Sequence, residues 1–355
     1  MPLPQAVRDR RAVLSAVARE TKAALPGILR QLLNVKADSS EKLDINEVPV
    51  LDPADCPRFP LSSDPRLRGT RVRVLNDDTL DAAIMMGESL ADPAGTQAGR
   101  NQRVAALNLA SDKNPGGGWL SGAMAQEEAL CYRSSLALSL HKPYYPWGPT
   151  TAVYTRDVVI VRSSMGAGHG LLVPQTPVAQ LPVVSIISVA AIRRPAVRTA
   201  PATPGPNAHN PHDSRQLQTK FKYPADRQLT KNKMRLTLRI AAREKHELLV
   251  LGALGCGAFR NPPEEIARCW AEVLDELEFR GGWWREIVSR LGTIDRGHEQ
   301  NSRPLRRYDP SFTRTTMIPY SVPSSLITLS SIPCPVILPH LSYIFLIPRN
   351  CAKCT

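Results

Sequence analysis

Apolar residues recur with two different periods along the first 300 positions of the chain. From 6 to 34, Val13, Leu14, Val17, Leu25, Ile28, Leu29, Leu32 and Leu33 fall at helical spacing, which predicts one or two helices. A Pro- and Asp-rich connection over 46–68 follows. Thr70-Arg-Val-Arg-Val-Leu75 alternates as a half-buried strand does, Asn76-Asp-Asp-Thr79 makes a turn, and a helix starts near Leu80. Val104-Ala-Ala-Leu-Asn-Leu109 reads as a buried strand, and the pattern is helical from Gln126 to Leu140. Asp157–Arg162 and Val183–Val189 are further strands. A basic helix over 226–245 leads to a strand at Glu247–Leu251. The final helix is predicted from Asn261 as N-cap and Pro262 as first helical residue to about Phe279.

Strands alternating with helices predict an α/β sheet with helices on both faces. Two glycine-bearing loops, one after Leu109 and one after Leu251, fall at strand C-termini, where such folds bind ligands. Three stretches break the pattern. Arg193–His212, rich in Pro and Ala, predicts an irregular excursion. No clear strand closes the sheet after Arg285-Glu-Ile-Val288. The apolar run from Met317 to Pro348 is broken by prolines, so it fits neither a membrane helix nor a globular element. The expected organisation is a helical N-terminal accessory region (1–45), a catalytic domain (46–300) and an irregular or aberrant tail (301–355).

Composition narrows the picture in two ways. The formal net charge is +13, and 13 Lys/Arg against 3 Asp/Glu lie between Arg193 and Lys245. That segment reads either as a basic surface for an anionic polymer or as a solvated loop and helix face. The seven cysteines are scattered, which suits free thiols and a reducing, cytoplasmic or nuclear compartment. Cys351 and Cys354 form a lone Cys-x-x-Cys with no second pair to complete a zinc site.

The most specific feature is Asn114-Pro-Gly-Gly-Gly-Trp-Leu-Ser-Gly-Ala-Met-Ala-Gln126-Glu127-Glu128. Gly116, Gly117 and Gly118 stand between a strand and a helix start, where backbone can approach a phosphate closely. Gly252-Ala-Leu-Gly-Cys-Gly-Ala-Phe259 repeats the arrangement after another strand, so the two loops could clamp a diphosphate. Neither has Gly-x-Gly-x-x-Gly spacing, and no Walker lysine follows either. Glu127 and Glu128 are neighbours, so they cannot flank a glycosidic bond as two opposed carboxylates. On a regular helix they should point about 100° apart, one free for acid/base work and the other for holding substrate. Without the glycines they would read as acids that favour a helix start.

Gly116-Gly-Gly, seven residues, then Gln126-Glu-Glu resembles the signature of poly(ADP-ribose) glycohydrolases. Leu107-Asn-Leu-Ala-Ser-Asp-Lys-Asn-Pro and Leu251–Glu265 resemble the microbial-type branch, including fungal members, over about 70–290. The resemblance implies a macrodomain-like three-layer α/β/α sandwich around a mixed sheet, with a helical N-terminal extension. It implies hydrolysis of the ribose–ribose O-glycosidic bond of poly(ADP-ribose), with no metal or other cofactor. Glu128 would be the general acid and Glu127 would bind the scissile ribose. Gln126 would support the loop, and Gly116 to Gly118 would face the diphosphate. Gly255, Cys256, Gly257, Ala258 and Phe259 would hold the diphosphate from the other side, with Phe259 packing on the terminal ribose. Asn108 and Asn114 resemble ribose-side polar residues, and Asp78 resembles the aspartate that reads adenine, with Asp77 an equally close candidate. The partners implied are poly(ADP-ribose) or ADP-ribosylated proteins, with no membrane and no nucleic acid as primary ligand, and a monomer is expected. The alternatives are removal of single ADP-ribose units from proteins and non-catalytic ADP-ribose binding. In the family a strand resembling Phe-Ala-Val-Leu-Asp closes the sheet, whereas this chain reads Val288-Ser-Arg-Leu-Gly-Thr-Ile-Asp295.

Overall fold

The computed structural model describes residues 4–61, 67–88, 103–201 and 217–290, so the expected tail at 301–355 lies outside the described residues. Nine strands and six α-helices run in the order α1 (Gln5–Leu29), β1 (Glu41–Asp44), β2 (Arg71–Leu75), α2 (Thr79–Glu88), β3 (Ala105–Ala110), α3 (Gln126–Arg133), α4 (Leu136–Ser139), β4 (Thr151–Val159), β5 (Val183–Ala190), β6 (Val197–Pro201), β7 (Leu217–Phe221), α5 (Pro224–Arg243), β8 (Leu248–Gly252), α6 (Pro263–Leu274) and β9 (Glu286–Arg290) among these residues. Seven strands form one mixed sheet in the order β1-β4-β5-β3-β8-β9-β2. The five from β5 to β2 are parallel, and β4 and β1 add antiparallel to the β5 edge.

The alternation along each central strand shows how the layers form, since successive side chains point to opposite faces. Ala105, Leu107, Leu249, Leu251, Ile187 and Val189 enter one core, where they meet Met234 and Leu238 of α5 and Ile266 and Trp270 of α6. Val104, Ala106, Leu248, Val250 and Ile186 enter the other, where they meet Leu14 of α1, Leu80 of α2, Leu130 of α3 and Leu136 of α4. Both faces are thus covered, and the expected α/β/α sandwich is present. Trp270, Trp283 and Trp284 are buried in the core rather than exposed as a stacking platform.

Several expectations need correction. The sheet does close: Glu286-Ile-Val-Ser-Arg290 is a parallel strand between β8 and β2. Its first residue is polar, Glu286 pairing with Arg73 of the neighbouring β2, which masks the apolar pattern. Glu41–Asp44, expected within the helical N-terminal region, is the sheet's edge strand. The excursion after Arg193 contains an antiparallel hairpin of β6 and β7, with 202–216 outside the described residues. Helix α6 begins one residue late, with Pro262 at the N-cap position. Asn261 instead donates to the carbonyls of Ile192 at 2.7 Å and Gly255 at 3.2 Å.

The basic segment is not an open cationic surface along α5. Arg227, Lys231, Arg235 and Arg239, spaced four apart, form a ladder with Glu265, Glu272, Glu276 and Glu278 of α6 and the turn after it. Each such pair contributes only about 0–1 kcal/mol. Their joint effect is to neutralise the cationic stripe and fix α5 against α6.

Helix α1 braces the glycine-rich loop from behind. Ser15 Oγ donates to the Leu120 carbonyl at 2.8 Å, and Thr21 Oγ donates to the Tyr132 carbonyl at 2.8 Å. Gly122, at φ 75°, lies so close that a Cβ there would overlap the Arg11 backbone. Gly122→Ala therefore has two penalties, a left-handed backbone and a clash that only backbone movement can relieve. We expect it to lower stability by about 1–3 kcal/mol in chemical denaturation; an unchanged midpoint would show that α1 does not seat on this loop.

Candidate active site

The C-terminal ends of β5, β3 and β8 are adjacent, and three loops leave the sheet there. These are 191–196 after β5, 111–125 after β3, and 253–262 after β8. The 111–125 loop returns directly into α3, which puts Gln126, Glu127 and Glu128 in the helix's first turn.

Gln126 fixes where that turn sits. Strands β3 and β8 pair only at Ala105–Leu249 and Ala106–Val250 before they part. In the gap, Gln126 Nε2 donates to the Leu107 carbonyl at 2.8 Å, and Leu109 N–H donates to Gln126 Oε1 at 2.8 Å. The side chain thus acts as a one-residue substitute for the missing strand, since buried backbone groups must be paired. The helix start is thereby anchored to the strand end.

Glu127 and Glu128 do not diverge as neighbouring helical residues would. Their stems bend so that both carboxyl groups reach Gly117, whose φ is 60°. A Cβ at Gly117 would overlap Glu128 Oε1 and lie 3.2 Å from Glu127 Oε2. The glycine run is therefore needed first by the protein's own carboxylates. Its N–H groups confirm the point. Gly118 N–H donates to Glu128 Oε1 at 2.9 Å, Gly117 N–H to the Asn114 carbonyl at 3.0 Å, and Gly116 N–H faces Glu127. In the free protein these N–H groups thus serve the carboxyl groups and the loop itself.

The two carboxyl groups differ in environment. Glu128 is held at both oxygens, because Ala125 N–H donates to Oε2 at 3.0 Å as Glu128 reaches back from the third helical position. Glu127 accepts from Ser111 N–H at 2.8 Å on Oε2, while its buried Oε1 has no partner among the described residues. Burial raises the Glu127 pKa to about 8, opposed by the Ser111 N–H and assisted by repulsion from Glu128. A proton resident on the pair in the neutral range is the chemical resource of this site.

The remaining sequence-predicted residues separate into groups. Asn108 is fully buried, its Nδ2 donating to Ser188 Oγ at 3.0 Å, and it also acts on Glu127. Asn114 is exposed on the loop. In the second loop, Gly255 has φ 74° and is needed there, since a Cβ would strike Ala191 and the Asn261 amide. Gly257 and Ala258 are exposed, and among the described residues their N–H groups make no backbone hydrogen bond. Burial pushes the Cys256 thiol up to about 12, so it remains a small neutral side chain. The Phe259 ring has the Arg193 guanidinium 5.1 Å from its centroid.

Asp78 is placed differently from expectation. Its Oδ1 accepts from Leu80 N–H at 2.8 Å at the start of α2 and pairs with the buried Arg133 guanidinium, which also pairs with Asp81. That oxygen is committed to structure. Asp77 Oδ1 accepts from Asp78 N–H at 2.8 Å, so neither aspartate is singled out as a reader of a base. Sequence reasoning missed Ser111 and Tyr145, which border Glu127, and Trp147, which packs on Tyr145, all from segments with no periodic signal.

Two outcomes test this geometry. Gln126→Ala would leave Leu107 C=O and Leu109 N–H unpaired, and should cost about 2 kcal/mol or more of stability; a neutral effect would contradict the strand-substitute role. Glu127 binds its proton more tightly folded than unfolded, so its contribution is present below about pH 4.5 and lost as pH rises through about 8. Denaturation midpoints of the parent should therefore fall relative to Glu127→Gln across that window, and parallel profiles would refute the raised value.

Comparison with known proteins bears on the family and the fold. Residues 35–162 match the family model described as microbial-type PARG, catalytic domain. The poly(ADP-ribose) glycohydrolase of Thermomonospora curvata is 24% identical with a TM-score of 0.57, over 81% of this chain and 96% of that one. The same enzyme bound to the inhibitor ADP-HPD gives 24% identity and a TM-score of 0.54, over 79% of this chain and 93% of that one. The Deinococcus radiodurans poly(ADP-ribose) glycohydrolase in complex with ADP-ribose is 28% identical with a TM-score of 0.50, over 74% of this chain and 90% of that one. No curated protein matches the chain.

Proposed function

We infer that the chain, whose residues 35–162 match the model of the microbial-type poly(ADP-ribose) glycohydrolase catalytic domain, hydrolyses the ribose–ribose bond of poly(ADP-ribose) and releases ADP-ribose. The observation that carries the mechanism is the convergence of Glu127 and Glu128 on Gly117, next to an unpartnered buried oxygen. In the free protein the shared proton resides on Glu127, by burial. A ribose hydroxyl donating to Glu127 Oε1 would stabilise Glu127 as carboxylate. A diphosphate between the two loops would disfavour a second negative charge beside it. Substrate binding thus moves the proton to Glu128.

Glu128 then protonates the bridging ribose oxygen as the bond from the anomeric carbon to that oxygen breaks. Water adds to the anomeric carbon and gives its proton to the Glu128 carboxylate, which restores the acid. Where the bond cleaved is that of a terminal unit, the products are ADP-ribose and a polymer shortened by one unit. The exposed Gly257-Ala258 turn, with its N–H groups free of backbone partners among the described residues, supports diphosphate binding by the second loop. Asn108 sits at the ribose side, and Gln126 holds the assembly in register.

The acceptors proposed are the polymer and ADP-ribosylated proteins, acted on by a monomer. No described helix is long and apolar enough to cross a membrane. Cys56, Cys131, Cys256 and Cys269 are free thiols, which supports a reducing, intracellular setting. Incubation with poly(ADP-ribose) should release ADP-ribose. Glu128→Ala should lower release by about 10²-fold or more while ADP-ribose still binds. Equal cleavage by the variant would remove Glu128 from the acid role, and tight ADP-ribose binding without any turnover by the parent would make the protein a reader.

A further inference from the structure

Among the described residues, five buried side-chain polar atoms without a partner, Asn108 Oδ1, Asp112 Oδ1, Glu127 Oε1, Tyr145 Oη and Trp147 Nε1, belong to residues linked one to the next at the C-terminal end of β3. Buried polar groups are normally paired, so a cluster of open ones at a strand end calls for a polar ligand. Three of the five belong to β3 and the elements that follow it. Tyr145 and Trp147 come from a different segment, the connection between α4 and β4, for which periodicity predicts nothing.

That connection is fastened over the C-terminal ends of β3 and β5. Trp147 N–H donates to the Asp112 carbonyl at 2.9 Å, and the Trp147 ring packs on Ala110, Val153 and Ala190. Lys233 Nζ donates to the Pro149 carbonyl, and Tyr144 Oη donates to the Ser40 carbonyl at 3.0 Å. The Tyr145 ring leans on Trp147, with centroids 5.0 Å apart at 35°. Its ring is half-buried but its hydroxyl is buried, so the side chain points inward. Burial, and then the Glu127 carboxyl group, hold that hydroxyl protonated.

We propose that the Tyr145 hydroxyl is a substrate-positioning group that binds a hydroxyl of the distal ribose beside Glu127 Oε1 and the Asn108 carboxamide. The proposal rests on the glycohydrolase reading for the identity of the sugar. A ribose diol supplies donors and acceptors together. Glu127 Oε1 as carboxylate and Asn108 Oδ1 can only accept, so they take the diol's protons. The Tyr145 O–H can donate, and it meets the lone pair those protons leave behind. A ligand without that ribose satisfies none of them. Trp147 acts through Tyr145 by fixing the ring's tilt.

The test compares ADP-ribose with ADP, which lacks the distal ribose. Tyr145→Phe keeps the ring and its packing, and should leave the melting temperature within about a degree of the parent. Loss of one neutral hydrogen bond should weaken ADP-ribose binding about three- to tenfold by calorimetry and leave ADP binding within about twofold. The kcat/KM for polymer should fall at least as far. If Tyr145→Phe binds ADP-ribose as the parent does, the assignment is wrong although the glycohydrolase reading stands. Equal weakening toward ADP would make Tyr145 a structural residue and also overturn the proposal. A parent that binds neither ligand would overturn the proposal and the glycohydrolase reading together.

Discussion

The site depends on a close contact between Gly117 and the carboxyl groups of Glu127 and Glu128. There is no room for a Cβ at that position, so the backbone comes against charged oxygens where any other residue would intrude. The cost is a left-handed backbone at Gly116 and Gly117 and the entropy of three flexible residues. The gain is that two neighbouring glutamates, which helical geometry would splay apart, meet at one point. Backbone N–H groups of Gly118 and Ala125 hold the second, while the first is buried with one oxygen open. Unequal environments for adjacent carboxyl groups are what separate a proton-holding role from a proton-delivering one.

The rest of the fold serves to keep that contact in place. Gln126 ties the helix start to β3 where β8 no longer covers it. Helix α1 presses on the back of the loop at Gly122, and Arg133 links the far end of α3 to Asp78 and Asp81 at the start of α2. On the opposite face, α5 and α6 are held together by alternating charges rather than by a cationic surface open to a polymer. The second loop is joined to the 191–196 loop through Asn261. Each of these ties is a local interaction with a long-range consequence, since a small shift of the loop would separate the carboxyl groups from their donors.

The central strands were legible in the sequence because burial on both faces demands short apolar runs, and Val104–Leu109 and Val183–Val189 are such runs. Strand β9 was not, because it lies beside an edge strand and its terminal Glu286 and Arg290 break the run. The glycine run and Gln126-Glu-Glu stood out by composition, and the loop's place at a strand end followed from order along the chain. The carboxyl convergence could not be read, since it arises from side-chain torsions and from the return of the loop onto the helix. The charge count between Arg193 and Lys245 misled for a related reason: its acidic partners lie 40 residues away, on α6 and just beyond. Tyr145 and Trp147 lacked any pattern, and only tertiary structure brings Tyr145 to Glu127 with Trp147 against its ring.

Gly117→Ala tests this account most directly. The contact predicts that the added methyl group displaces Glu128 Oε1 from its place against the loop and parts the two carboxyl groups. Turnover of poly(ADP-ribose) should then fall by about 10²-fold or more, on the scale of losing a positioned proton donor, while the protein still melts cooperatively. A Gly117→Ala variant with the parent's kcat/KM would contradict the claim that the loop exists to bring these carboxyl groups together.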